Sequence, residues 1–351
     1  MRLRRLGRTG FEVGEVGFGT WGIGNTSWIG ADDDVSVAAL KAARDSGITF
    51  FDTALVYGRG RSEQLIARVF GKSKEIVVAS KAPPKYMLWP APSGRPLRDA
   101  YPREHVLECL ERSLRNLGRE TIDLYQFHVW SDEWADESEW KSTVEEIRRS
   151  GKARFIGISI NDHQPENVLR ALGTGLIDTV QAIYNVFDPS PADRLFPYCA
   201  EHDLGVIVRV PFDEGGLTGS VHTGSRYPEG DFRNRYFSGE RKQQVQEHVQ
   251  GIVSDLKIDV AQMPDIALRF CLSHPDVSTV IAGMRRSHHV LLNAAAANKG
   301  SLSPEFLDKL RGHRWIRNFY APPSEQPEKR NSLLPRLRSL VGDSGHVLQK
   351  R

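Results

Sequence analysis

Residues 47–58 read Gly-Ile-Thr-Phe-Phe-Asp-Thr-Ala-Leu-Val-Tyr-Gly, a short and largely apolar run that ends on an acidic residue. The run Ile48–Phe51 does not alternate between apolar and polar residues, which is typical of a strand covered on both faces in a parallel sheet. Asp32–Asp34 can cap a preceding helix, and Gly47 can end it. We therefore predict a helix that ends near Gly47, followed by a strand with Asp52 at its carboxyl end.

Runs of the same kind recur on both sides of this stretch, and segments of helical period separate them. Pro102 opens one such segment, which Gly118 ends, and Ser138 can cap another that ends at Gly151. Strand–helix alternation predicts a parallel sheet with right-handed crossovers. Eight strands favour an α/β protein with a closed (β/α)8 TIM barrel over an open doubly wound sheet. The seven other predicted strands are Val13–Phe18, Ile76–Ala79, Ile122–Phe127, Ala153–Ile158, Thr179–Ile183, Val206–Val210 and Val277–Ala282.

Two connections are too long for ordinary loops: Lys81 to Pro102, and Pro211 to about Glu240. Both follow strands, so we expect both at the carboxyl-terminal mouth of the barrel, where such barrels hold their active sites. Leu3–Val16 reads as a β-hairpin that can plug the opposite end. We assign residues 1–320 to the barrel and residues 321–351 to a linker and a short amphipathic carboxyl-terminal tail.

The composition excludes several classes of protein. With 40% hydrophobic and 26% charged residues, the chain is typical of a folded domain, and a net charge of +3 is too small to suggest nucleic acid as a partner. Three widely spaced cysteines form no metal-ligand pattern, which favours a reducing compartment without a structural metal. No window is apolar enough to span a membrane, and the basic amino terminus lacks the apolar core of a signal peptide. We expect a cytoplasmic protein.

A glycine motif in residues 17–22, Gly-Phe-Gly-Thr-Trp-Gly, matches the dinucleotide-binding pattern G-x-G-x-x-G. In a Rossmann dehydrogenase a helix starts at these glycines and receives the pyrophosphate. Here the next helical run begins only near Asp33. We therefore do not take the motif as a Rossmann site.

Polar residues close three consecutive predicted strands: Asp52, Lys81 and His128, with Tyr57 five residues beyond the first. Because the strands are parallel, we expect the four side chains to converge at one mouth. A tyrosine with a pKa of about 10 is a poor acid–base catalyst near neutrality. A neighbouring ammonium is expected to lower that pKa, a carboxylate to hold the ammonium, and an imidazole to orient a carbonyl oxygen. The set suits proton transfer during carbonyl reduction.

The chain resembles the aldo-keto reductase family. Residues 47–58, followed by Ser62-Glu63, resemble the family signature. The similarity covers roughly residues 3–320. It continues through Val78–Lys81, Asp123–His128, Gly151–Ser159, Val180–Asn185, Pro211–Gly219, Ile281–Arg285 and Asn293.

This resemblance implies hydride transfer between NADP(H) and a carbonyl or alcohol, with a catalytic tetrad of Asp52, Tyr57, Lys81 and His128. It implies nicotinamide contacts from Ser159, Asn161 and Gln181, and a pyrophosphate under the loop from Phe212 to Gly219, which includes Gly216 and Leu217. The remaining residues that we assign to the cofactor site are Thr20, Trp21, Asp52, Arg209, Gly283, Arg285, Arg286, His289 and Asn293.

The sequence departs from the family pattern in three places. Ile160 separates Ser159 from Asn161, which are usually adjacent, and Arg209 stands where many members stack an aromatic residue on the nicotinamide. His289 replaces the Gln or Arg that often meets the ribose phosphate. Arg285 and Arg286 still offer two guanidinium groups to a 2′-phosphate, so we favour NADP(H) over NAD(H).

The substrate is expected to be an aldehyde or ketone, with sugars included, or the matching alcohol, bound by Trp21, Trp89 and Trp130. We expect a monomer or small homo-oligomer. The rival function is a nucleotide-binding, redox-sensing subunit that resembles the potassium-channel beta subunits of the same fold. The intact tetrad favours an enzyme, although fold alone does not decide function.

Overall fold

The computed structural model describes residues 1–321. These residues contain ten strands. The first two, β1 (Leu3–Arg5) and β2 (Glu12–Gly14), pair as an antiparallel hairpin. The other eight form a closed parallel barrel in the order β10-β3-β4-β5-β6-β7-β8-β9. These strands are β3 (Val16–Gly19), β4 (Phe50–Asp52), β5 (Val77–Ala82), β6 (Ile122–Phe127), β7 (Ala153–Ser159), β8 (Thr179–Ile183), β9 (Gly205–Arg209) and β10 (Thr279–Gly283). The predicted barrel and hairpin are confirmed.

Twelve α-helices lie in the described part of the chain. Most follow a barrel strand and cover its outer side, so the strands are buried on both faces as their composition predicts. The helices are α1 (Asp33–Asp45), α2 (Arg61–Phe70), α3 (Leu97–Ala100), α4 (Arg103–Leu117), α5 (Ser138–Ser150), α6 (Leu169–Leu172), α7 (Leu195–Glu201), α8 (Arg233–Tyr236), α9 (Arg241–Leu256), α10 (Met263–Leu272), α11 (Ser287–Asn298) and α12 (Pro304–Arg311).

Local signals explain several helix ends. The Asp32 carboxylate accepts a hydrogen bond from the Val35 amide at 2.9 Å and caps α1. Gly118 ends α4 in the left-handed conformation, with φ of 62°. The prediction that Ser138 caps α5 is wrong. Glu137 holds the cap position without a side-chain bond, and Ser138 is already helical.

The hairpin closes the amino-terminal end of the barrel. Leu6 and Val13 are fully buried and pack with Phe50, Leu124 and Ile207 inside the barrel. At the hairpin turn Gly7 has φ of 48°, and a Cβ there would lie 2.3 Å from the Gly205 nitrogen. A glycine is therefore required where the turn meets β9.

Side chains inside the barrel change from apolar to polar toward the mouth. Because successive side chains of a strand point to opposite faces, residues two apart share a face. On four strands an apolar side chain points into the barrel, and the side chain two residues nearer the mouth, on the same face, is polar. The pairs are Phe50 and Asp52, Ala79 and Lys81, Leu124 and Gln126, and Ile207 and Arg209.

The glycine motif is part of the barrel wall. A Cβ on Gly17 would lie 3.0 Å from the Phe50 ring and 3.1 Å from Ile281. After β3 the chain makes a short 3₁₀ turn, Trp21–Ile23, and α1 begins only at Asp33. The glycines therefore serve close packing, and no α-helix begins at them.

Met1–Tyr320 form one compact unit. The predicted linker and tail lie outside the described residues, apart from Ala321. Within residues 1–321, no helix has the length and apolar character needed to cross a membrane. The same residues contain no group of three His, Cys, Asp or Glu side chains that could hold a metal ion.

Candidate active site

A buried ion pair lies at the mouth of the barrel. The Lys81 Nζ, on β5, donates to Asp52 Oδ1 at 2.5 Å and to the Thr53 carbonyl at 2.8 Å. Lys81 is 0% exposed and Asp52 1%. Burial lowers the pKa of Lys81, while the Asp52 carboxylate acts in the opposite direction. The carboxylate therefore keeps an ammonium in a place where desolvation opposes charge.

Tyr57 lies in a short 3₁₀ turn after β4, directly beside this pair. The Lys81 Nζ is 5.1 Å from the centre of the Tyr57 ring. Burial raises the pKa of Tyr57 well above its ordinary value of 10, and Asp52 raises it further, while Arg209 opposes the change. Our expectation of a lowered pKa is wrong for this structure, because desolvation and the carboxylate outweigh the nearby cations.

His128 follows β6 and completes the group. Its ring centre is 5.7 Å from that of Tyr57 and 5.4 Å from that of Trp89. Burial lowers the pKa of His128 well below 6.5, and Lys81 and Arg209 add to this effect. The imidazole is therefore neutral near pH 7. Its Nδ1 is buried and has no hydrogen-bond partner among residues 1–321.

The structure thus brings Asp52, Tyr57, Lys81 and His128 together from three neighbouring strands. It combines a protonated phenol, a buried ammonium and a neutral imidazole at one open end. Such a group can donate a proton to a developing alkoxide and orient the oxygen that receives it.

Two buried glutamines hold the other oxygen of Asp52. Gln181 Nε2, on β8, donates to Asp52 Oδ2 at 2.9 Å, and Gln126 Nε2, on β6, donates to the same oxygen at 3.3 Å. The family resemblance implied Gln181 as a nicotinamide contact, and Gln126 was not predicted. The signal was present, because Gln126 lies two residues before His128 and so shares its face of β6.

Three buried hydroxyl groups fix the backbone beneath the ion pair. Thr53 Oγ1 donates to Ser62 Oγ at 2.9 Å, Ser62 Oγ donates to Thr20 Oγ1 at 2.6 Å, and Thr20 Oγ1 donates to the Asp52 carbonyl at 2.8 Å. All three residues are 0% exposed. The hydroxyl of Thr20, which we expected at the cofactor, is therefore engaged within the protein.

Arg209 ends β9 inside the mouth. Its Nη2 donates to Asp162 Oδ1 at 2.7 Å and to the Ile160 carbonyl at 3.1 Å. Burial acts to lower the pKa of Arg209, but Asp162 and Tyr320 raise it overall. The acidic partner of Arg209 therefore comes from the segment after β7.

Asn161 and Ser159 belong to the same side of the mouth. Asn161 Oδ1 accepts from the Ala91 amide at 2.9 Å, and its Nδ2 donates to the Ala91 carbonyl at 3.3 Å. Asn161 therefore ties the long loop after β5 to the end of β7. Ser159, the last residue of β7, is buried beside the register partner Gln181.

The loop after β9 is fastened by the end of the described chain. It forms a 3₁₀ turn, Asp213–Thr218, in which Asp213 and Glu214 have φ of 51° and 54°. Arg317 pairs with the buried Asp213, and the Tyr320 hydroxyl donates to Glu214 Oε1 at 2.5 Å. Burial raises the pKa of Glu214 to about 7.

The same loop holds one partly buried and one fully buried apolar side chain, Phe212 and Leu217. A Cβ on Gly216 would lie 2.5 Å from Asp213 Oδ2, and one on Gly219 would lie 2.5 Å from Val260 Cγ2. The glycines allow the loop to fold tightly against its own carboxylate and against the segment before α10.

The residues predicted at the adenosine end cluster at the start of α11. Arg286 is exposed at its cap position, His289 is partly buried, and Asn293 is buried one turn further. Arg285 is partly committed within the protein: its Nη1 donates to the Ile29 carbonyl at 3.0 Å, and its guanidinium lies 5.6 Å from the Trp28 ring centre. Gly283 is exposed beside them at the end of β10.

Aromatic side chains line part of the mouth. Trp21 packs against Phe232 at 5.2 Å between ring centres and lies 6.4 Å from Tyr57. Trp89 is 39% exposed above His128. The prediction that Trp130 binds substrate is wrong. Trp130 is 0% exposed and packs between Trp134 and Trp140.

Comparisons with known proteins agree with this geometry. The model of the aldo/keto reductase family matches residues 15–314. The chain is 28% identical over 293 residues to aldo-keto reductase YhdN of Bacillus subtilis, covering 82% of this chain and 86% of that protein. It is 28% identical over 304 residues to the NADH-specific methylglyoxal reductase of Escherichia coli, covering 84% and 92%. The solved holo form of aldo-keto reductase AKR11C1 from Bacillus halodurans matches with a TM-score of 0.70 and 25% identity, covering 91% and 98%. The chain belongs to the aldo/keto reductase family of oxidoreductases.

Proposed function

We propose that this protein is an NADP(H)-dependent oxidoreductase that interconverts an aldehyde or ketone and its alcohol, with Tyr57 as the acid and base. One observation carries the proposal. The Lys81–Asp52 ion pair is buried directly beneath Tyr57, and a neutral His128 lies against the same ring. A merely structural ion pair would not require a titratable phenol and an imidazole at an open mouth.

Each side chain of the tetrad has its own role in the proton transfer. When bound, a reduced nicotinamide supplies the hydride, and the carbonyl oxygen then needs a proton. Tyr57 is protonated near neutral pH and would donate that proton. Its raised pKa opposes the donation, and the Lys81 ammonium offsets part of that cost by stabilising the phenolate that remains, while Asp52 stabilises the ammonium. His128, as a neutral imidazole, can donate its N–H to the carbonyl oxygen and orient it.

The residues around the mouth fit a nicotinamide dinucleotide. A Cβ on Gly215 or on Gly283 would meet no atom within 4 Å, so space is open beside the loop after β9 and at the end of β10. Arg286 is exposed next to that space and can meet a phosphate. Ser159, Gln181 and Arg209 would lie along the nicotinamide end, and Arg286, His289 and Asn293 along the adenosine end.

The choice of NADP(H) over NAD(H) rests on the arginines at the start of α11. A free guanidinium can bind a 2′-phosphate through two hydrogen bonds. Arg286 is available for this role, whereas Arg285 already holds the Ile29 carbonyl. A relative named as NADH-specific shows that NAD(H) is the alternative to be tested.

The mouth favours a neutral carbonyl compound with polar groups, sugars included. Trp21 and Trp89 offer flat apolar faces, whereas Asp162 and Glu214 add acidic groups near Arg209. We propose a cytoplasmic location, since the three cysteines are buried and unpaired.

The test is a turnover assay on the purified full chain. Aldehydes, ketones and free sugars are offered with NADPH or NADH, and alcohols with the oxidised forms, while nicotinamide absorbance is followed. Repeated turnovers that are faster with NADPH support the proposal. A single slow oxidation of bound cofactor, with no carbonyl substrate consumed, would instead indicate the redox-sensing subunit.

A further inference from the structure

Gln126 is a buried polar residue to which the proposed reaction assigns no role. It lies on β6 between Leu124, in the apolar layer of the barrel interior, and His128 at the mouth. Its side chain is 1% exposed. Burial of an amide costs free energy unless its hydrogen bonds are satisfied, so its partners are informative.

The Gln126 amide closes a ring of hydrogen bonds with two other residues. Its Nε2 donates to Asp52 Oδ2 at 3.3 Å, and its Oε1 accepts from Gln181 Nε2 at 3.4 Å. Gln181 Nε2 also donates to Asp52 Oδ2, at 2.9 Å. Since an ionised carboxylate only accepts hydrogen bonds, both amides must turn their nitrogens toward Asp52.

This ring determines what Gln181 can offer to a ligand. Its two N–H groups are directed to Asp52 and Gln126. Only the Gln181 carbonyl oxygen is then left to accept a hydrogen bond from a carboxamide N–H at the mouth. Without Gln126, the second N–H of Gln181 would lose its partner and the amide could turn over.

The barrel wall is shaped to hold Gln126 in place. Its register partner on β7 is Gly157, and a Cβ on Gly157 would lie 3.0 Å from Gln126 Cγ. On the other side its register partner is Lys81. The glutamine stem therefore packs across a position without a side chain, and its amide reaches the carboxylate that pairs with Lys81.

We propose that Gln126 is a positioning residue, which orients the Asp52 carboxylate beneath Lys81 and fixes the amide of Gln181 toward the nicotinamide. This inference rests on the proposed function for its catalytic consequence but also predicts an effect on cofactor binding alone. Gln126 contacts neither the phenol of Tyr57 nor any reacting atom; it acts through Asp52 and Gln181.

The test compares Gln126→Met, which keeps the volume and removes the amide, with Gln126→Glu, which keeps the shape and adds a charge. Tyr125→Phe is the matched control, since Tyr125 is on the same strand and its buried hydroxyl has no partner among residues 1–321. NADPH binding is measured by tryptophan fluorescence, kcat and KM are measured for the reduction of para-nitrobenzaldehyde, and thermal unfolding is recorded for each variant.

For Gln126→Met we expect NADPH affinity to fall about fivefold, since a buried hydrogen bond is worth about 1 kcal/mol. We also expect kcat to fall by about the same factor while the KM for the aldehyde stays near the wild-type value, because Asp52 then keeps one amide donor fewer to hold it beneath Lys81. Gln126→Glu should show a larger loss, and Tyr125→Phe should show neither change.

Wild-type NADPH affinity and wild-type kcat in Gln126→Met would overturn the inference. So would losses of affinity and kcat that only follow the loss of thermal stability, with the KM raised as well, because a merely structural role predicts that result. If Gln126→Met does not fold, the same measurements on Gln126→Glu decide whether the inference holds. Weaker NADPH binding in these variants, in a protein that shows no turnover at all, would uphold the positioning role and reject the proposed function.

Discussion

Arg209 donates to Asp162 at 2.7 Å, so a cation at the end of β9 carries its own counter-charge from the segment after β7. If Arg209 lies against the nicotinamide, as its position in the mouth favours, its charge disfavours the oxidised ring, which is itself cationic. Asp162 offsets part of that repulsion.

Two opposite substitutions test this pair. Arg209→Leu removes the cation and should tighten NADP⁺ binding relative to NADPH. Asp162→Asn removes the counter-charge, leaves the guanidinium in place and should shift the ratio of the two dissociation constants the other way. Titration of each variant with both cofactor forms gives the ratio. An unchanged ratio in both variants would place Arg209 away from the nicotinamide.

Tyr57→Phe tests the proton donor. The hydroxyl is removed while the ring that contacts Trp21 and His128 is kept. Because a positioned acid contributes roughly 10² to 10⁴ in rate, steady-state reduction should fall by that factor. NADPH affinity should stay within a few-fold of the wild type. Activity near the wild-type level would refute Tyr57 as the acid.

Arg286→Ala tests the choice of cofactor. Arg286 is exposed at the start of α11, so its loss should leave the thermal stability unchanged. We expect NADPH binding to weaken by about 1.5–3 kcal/mol, the value of a hydrogen bond to a charged group, and NADH binding to stay the same. Arg285→Ala is the comparison, because it also removes the bond to Ile29 and should lower stability. Equal losses for both cofactors in Arg286→Ala would argue against a 2′-phosphate site.

Glu214→Gln tests the buried carboxyl beside Tyr320. Its pKa is raised from 4.5 to about 7, so the folded state holds a proton over this range that the unfolded state releases. Glu214 therefore contributes fully to the free energy of unfolding below about pH 4.5, and this contribution is lost as pH rises through about 7. At about 1.4 kcal/mol per pH unit, the loss is on the order of 3 kcal/mol.

The glutamine variant keeps an acceptor for the Tyr320 hydroxyl but does not titrate. Urea unfolding of both proteins between about pH 5 and about pH 8 gives the difference in stability. We expect the variant to gain stability relative to the wild type as pH rises. A constant difference across that range would contradict the raised pKa.

The barrel was predictable because its strands repeat a local pattern that a single sequence shows. The tetrad positions followed from the same logic, since parallel strands bring their carboxyl ends to one mouth. Gln126 could have been found in the same way, because it shares a strand face with His128. Contacts between distant segments could not be predicted in this way. The pairing of Asn161 with Ala91 and the burial of Trp130 against Trp134 and Trp140 leave no local trace in the sequence. The raised pKa of Tyr57 depends on how deeply the folded mouth desolvates it.

The hairpin that closes the amino-terminal end also limits how the site exchanges protons with water. Leu6 and Val13 are fully buried and close that end with apolar side chains, so the mouth is the polar side from which water would approach the Lys81–Asp52 pair. If Tyr57 is the acid, as we propose, substrate entry and replacement of its proton would share that one opening.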